Sequence, residues 1–64
     1  MIDNFNKIKD LMSHTEVDLK KFNDKGNKSA GIRARNNLTR MIKLATEVRR
    51  QVLDERKKLE RDQE

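Results

Sequence analysis

Asn23-Asp24-Lys25-Gly26-Asn27-Lys28 is the stretch on which the fold turns. The chain has no proline and two glycines, so almost everything in it favours helix. Only here does a glycine stand among Asn and Asp residues that stop one. Gly26 adopts the left-handed conformation that closes a helix without a Cβ penalty, and Asn and Asp side chains favour turns. The expected order is a helix over about 2–23, a turn over about 24–28 and a second helix over about 29–62. Ser29 can cap the second helix with its side-chain oxygen, and Asn27 competes for that role.

Upstream of the turn, Phe5, Ile8, Met12, Thr15, Leu19 and Phe22 recur at spacings of three and four, which places them along one helical face. Downstream, Ala34, Leu38, Met41, Ala45, Val48, Val52 and Leu59 repeat in a four-three rhythm interrupted at Glu55, a heptad seam of the coiled-coil kind. Small Ala34 and Ala45 allow a close partner, while Ile42 and Leu44 widen the seam. The second helix, about 33 residues, should reach roughly 50 Å, against about 20 residues for the first. If the two pair antiparallel from the turn, the first runs out opposite about Arg49 and leaves Val52, Leu53 and Leu59 uncovered. The expected fold is therefore all-α: one antiparallel, coiled-coil-like two-helix hairpin over 1–64, completed by a two-fold homodimer along Leu38, Met41, Ala45, Val48, Val52 and Leu59. Asp62 to Glu64 should fray.

Composition narrows the function classes. In 64 residues, 33% are hydrophobic and 42% charged, which is too little apolar mass for a globular core but enough for a helical seam. There is no cysteine, hence no disulfide framework and no thiolate metal site, which fits a reducing cytoplasm. No long apolar run suggests a secretory signal or a membrane span. The net charge of +5 is unevenly placed: −2 over residues 1–18, +8 over 19–50 and −1 over 51–64. The positive charge is gathered around the glycines.

On a wheel of the second helix, Arg33, Arg40, Lys43 and Arg50 line up away from the seam, with Lys25 and Lys28 extending the row through the turn and Arg35 and Arg49 on another edge. A row of cations on a rigid rod suits duplex phosphates, and each contact would release counterions. The plainer alternative is a solvated charged surface, and Glu47, placed to pair with Lys43 and Arg50, would weaken the field. With no Tyr or Trp and both Phe residues on the apolar face, base-stacking recognition of single strands is not expected. Asn36 and Asn37 lie near the row but form no clear set for reading bases.

Other chemistry is poorly supported. Gly26-Asn27-Lys28-Ser29-Ala30-Gly31 superficially resembles a phosphate loop, but it lacks the first glycine and the preceding strand, which leaves only the amides and dipole of a helix start near Lys28 and Arg33. His14 has no cysteine or second histidine with which to share a metal, and Asp10 and Asp18 at four residues' distance suit an exposed helix better than a metal site. Asp54-Glu55 lacks a pocket that would shift its acidity. Met1, Met12 and Met41 read as seam or start residues. The expectation is a protein that is not an enzyme, with no catalytic residue, metal, cofactor or small-molecule substrate.

The run from Lys20 through Lys25-Gly26-Asn27-Lys28 to Arg33-Ala34-Arg35, with Leu38 and Ile42-Lys43-Leu44-Ala45 after it, resembles the core of bacterial linker-histone-like nucleoid proteins of the chlamydial type. The resemblance is centred on Lys-Gly-Asn-Lys and Arg-x-Arg and extends in looser form over most of the chain. It implies a cytoplasmic, nucleoid-associated protein that binds double-stranded DNA with little sequence preference and organises or compacts the chromosome. The residues it carries over are Lys25, Lys28, Arg33 and Arg35. Such proteins add a long Lys- and Ala-rich tail, whereas this chain ends in the mixed sequence Lys57 to Glu64, so a modest binder or bridger is expected rather than a strong condenser. The competing expectation is a coiled-coil adaptor that binds a protein partner and uses its charges for solubility. An acidic membrane surface is a third and weaker partner, because the apolar face is needed for packing.

Overall fold

The computed structural model describes residues 1–62 and consists of two helices, α1 over Ile2–Lys25 and α2 over Lys28–Asp62, folded back on each other. There is no strand among the described residues. The hairpin is a rod of 58 × 14 × 13 Å. Of Asp62 to Glu64, where fraying was expected, Asp62 is the last residue of α2, and Gln63 and Glu64 lie outside the described residues.

The connection is Gly26 and Asn27 alone. Gly26 has φ 65° and ψ 27°, the left-handed cap, and the amides of Gly26 and Asn27 donate back to the carbonyls of Phe22 (3.0 Å) and Lys21 (3.3 Å). Asn27 then starts α2. Its Oδ1 accepts from the Ala30 amide at 3.1 Å and its carbonyl accepts from Gly31 at 3.2 Å. Of the two candidate caps, Asn27 takes the role and Ser29 is already inside the helix.

So short a turn dictates which faces meet. Phe22, the last apolar residue of α1, lies over Gly31 so closely that a Cβ there would stand 2.7 Å from the ring. Away from the turn, the residues drawn out of solvent are Asn4, Ile8, Leu11, Thr15 and Asp18 on α1, and Ala30, Ala34, Asn37, Met41, Leu44, Val48 and Gln51 on α2. Both sets keep the four-three heptad spacing, as an antiparallel coiled coil requires. The half nearer the turn is small and polar, which lets the backbones approach. The open half is aliphatic.

The seam between the helices is therefore offset from the most apolar stripe of either one. Met41 and Val48, with Ala34, face α1, whereas Leu38, Ala45, Val52 and Leu59 stay exposed. On α1, Ile8 and Thr15 turn inward while Phe5, Met12, Leu19 and Phe22 remain about half exposed. Among the described residues, outright burial of apolar side chains is confined to Ala30 and Ala34. Asn4 lies opposite Glu47, and Met1 borders a shallow hollow with Gln51 and Asp54. α2 runs on past α1 from there, and Leu53 and Leu59 are left open as the difference in helix length implies.

Candidate nucleic-acid interface

The heptad register sorts the charged residues into sides. The residues one place before the seam positions Ile8, Thr15 and Phe22 are Lys7, His14 and Lys21. Those before Ala34, Met41 and Val48 are Arg33, Arg40 and Glu47. In an antiparallel pair these two sets fall on one flank. They meet there: Lys7, His14, Lys21, Arg33, Arg40 and Lys43 line one long open groove, with Leu11, Asn37 and Leu44 at its floor and Asp10, Val17 and Asp18 along the α1 side. Arg50 continues the Lys43 row one heptad further along α2.

The residues one place after the seam positions form the other flank. Here stand Phe5, Met12 and Leu19 on α1 and Gly31, Leu38, Ala45 and Val52 on α2. Met12, Leu19, Leu38 and Met41 line a groove on this side, with Lys9, Glu16, Lys20 and Asn23 along its α1 rim, and it leads into a hollow bounded by Phe22, Gly31, Ala34 and Leu38. One edge of the hairpin is thus cationic, and the opposite edge has an apolar floor with a charged rim.

Within the basic groove, Arg33 is tied to the seam. Its Nε donates to both carboxylate oxygens of Asp18 at 3.3 Å, and its Nη2 donates to Asp18 Oδ1 at 3.1 Å. The Asp18 side chain is 13% exposed and that of Arg33 52%. A carboxylate at a buried heptad position needs such a partner, since unpaired it would lose its hydration for nothing. The fork also aims the guanidinium into the groove. Lys7, Lys21, Arg40 and Lys43 have no carboxylate within ion-pair distance among the described residues. His14 Nδ1 donates to the Asp10 carbonyl at 2.8 Å, and the ring borders the groove.

The expected pairing of Glu47 with Lys43 and Arg50 is not formed. Glu47 stands beside the seam and accepts from Asn4 Nδ2 at 3.4 Å instead. Its charge is drawn toward α1 and away from the outer row.

Of the residues singled out from the sequence, Arg33, Arg40 and Lys43 share the groove, and Lys25 sits at the turn. Arg35 and Lys28 border the apolar hollow on the other flank. Lys7 and Lys21 were not foreseen. Their signal was the seven-residue spacing Lys7, His14, Lys21, which carries no meaning until the register shows that it faces Arg33 and Arg40. Among the described residues, no group of His, Asp or Glu side chains is placed to hold a metal ion. No helix there is long and apolar enough to cross a membrane.

Fold and site together define a small helical hairpin with a cationic edge backed by an apolar one. The family model described as histone H1-like protein Hc1 matches residues 2–58, which takes in α1, the turn and most of α2. The chain belongs to the histone H1-like Hc1 family. No curated protein and no solved structure shows significant similarity to it.

Proposed function

We propose that this chain binds double-stranded DNA through its phosphates, without sequence preference, as a homodimer that helps to organise the bacterial nucleoid. The observation that carries this reading is the convergence of Lys7, Lys21, Arg40 and Lys43 from two helices on one groove, with no carboxylate among the described residues paired to spend their charge. Membership of a histone H1-like family supports it. Lys25 and Arg50 lengthen the same edge. Lys28 and Arg35 lie where a duplex on that edge would not reach them, and serve at the rim of the dimer contact. Phosphate contacts fix a protein on DNA without reading bases.

The homodimer follows from what the hairpin leaves unburied. A chain of this size with two alanines as its fully buried apolar residues is too thinly cored to stand alone. Phe5, Met12, Leu19, Leu38, Ile42 and Val52 are each 42–67% exposed. About half exposed, these six side chains present an apolar patch on the order of a few hundred Å², a substantial part of the ~800 Å² per partner of a stable interface. A second copy, self-complementary about a two-fold axis, covers that edge.

Fluorescence anisotropy with two unrelated duplexes of equal length tests the function. About five phosphate contacts give a slope near −4.5 in log affinity against log salt, so affinity should fall roughly several-hundred-fold between 50 and 200 mM salt. Equal affinity for both duplexes with that slope is the expected result. No binding at 50 mM salt would overturn it. The open apolar edge favours a second reading, an adaptor that docks another protein there. A chain that stays monomeric and ignores DNA at low salt would point to that instead.

A further inference from the structure

We propose that one dimer of this chain holds two DNA duplexes at once, one on each side, and so bridges DNA instead of coating or bending a single duplex. The inference rests on the DNA-binding, dimeric reading above. It comes from the placement of the two edges. The seam between α1 and α2 separates the cationic groove from the apolar one, so the two grooves face opposite ways across a hairpin only 13–14 Å thick. Pairing two copies through Met12, Leu19 and Leu38 turns both cationic grooves outward, back to back.

A single duplex cannot serve both grooves. They would lie about two hairpin thicknesses apart and point in opposite directions, and DNA, with a persistence length of about 50 nm, does not fold back on itself over such a distance. The second groove is left for a second duplex. A dimer whose cationic edges adjoined would instead present one broad surface to one duplex, which the position of the apolar edge rules out.

The test is capture of a labelled duplex on beads carrying an unlabelled one, in about 50 mM salt, with anisotropy read on the same samples for binding to one duplex. The wild-type chain should retain the labelled duplex. Met12→Asp, which puts a charge in the dimer contact, should bind a single duplex within about threefold of wild type and lose capture at least tenfold. Ala45→Glu, on the same edge and outside the α1–α2 seam, serves as a second variant if circular dichroism shows Met12→Asp to be unfolded. Wild-type binding without capture would overturn bridging and leave the DNA-binding reading intact, as would full capture by a folded, monomeric variant. Absence of anisotropy binding would overturn both.

Discussion

The two flanks of this hairpin are built from the same heptad and made for opposite surroundings. One place before the seam, both helices carry cations; one place after it, both carry apolar residues. The seam itself is made of Ala30, Ala34, Thr15, Asp18 and a few aliphatics, and the flanks add to it only near the turn, through the Arg33 fork on Asp18 and Gly31 under the Phe22 ring. The contrast teaches that in a minimal hairpin the intramolecular contact can be the weakest surface. On the function proposed above, the strong hydrophobic stripe is kept for a second copy and the charged stripe for DNA.

Breaking the apolar flank should have the largest effect. Leu38→Asp buries a charge in the dimer contact and should weaken dimerisation at least a hundredfold, seen in sedimentation as a shift to monomer. The seam would keep its contacts, since Leu38 is 43% exposed in the hairpin. A variant that sediments as wild type would assign the apolar flank some other role.

The turn lies between the flanks and should matter next. Gly26→Ala forces a Cβ onto a residue at φ 65° and should lower unfolding free energy by about 1–2 kcal/mol. The space around Gly26 is open, so the loss is conformational and not steric. DNA affinity per folded molecule should not change. The measurement is a urea titration followed by circular dichroism, with anisotropy at low denaturant.

The seam offers the smallest effect and the opposite sign. Thr15 is 2% exposed and its hydroxyl has no hydrogen-bond partner. Thr15→Val keeps the shape, removes the unpaired oxygen and should raise stability by about 1 kcal/mol in the same titration. A fall would mean that the hydroxyl is satisfied in solution.

Much of this was legible in the sequence. Gly26 among Asn and Asp marked the reversal, the uneven helix lengths left Leu53 and Leu59 open, and the run around Lys25-Gly26-Asn27-Lys28 resembled the family to which the chain belongs. The rotation of the helices was not legible. Two apolar stripes run side by side on α2, one through Ala34, Met41 and Val48 and one through Leu38, Ala45 and Val52. Hydrophobicity does not say which of them meets α1, and a two-residue turn with Phe22 packed on Gly31 decides between them. Asp18 and Asn37 looked like surface residues because a polar group in a seam is identified only by its partner, in the case of Asp18 the guanidinium of Arg33. Lys7 and Lys21 stayed hidden for the same reason.

The most direct test of the division into flanks compares two double charge reversals of equal net change. Lys7→Glu with Arg40→Glu alters the cationic groove from both helices. Lys57→Glu with Lys58→Glu changes exposed cations outside both grooves. Measured by anisotropy on one duplex at about 100 mM salt, the groove variant should lose at least tenfold more affinity than the other, with a salt slope shallower by about 2. Equal losses would show that net charge alone draws the chain to DNA, and would contradict a site formed by the pairing of the two helices.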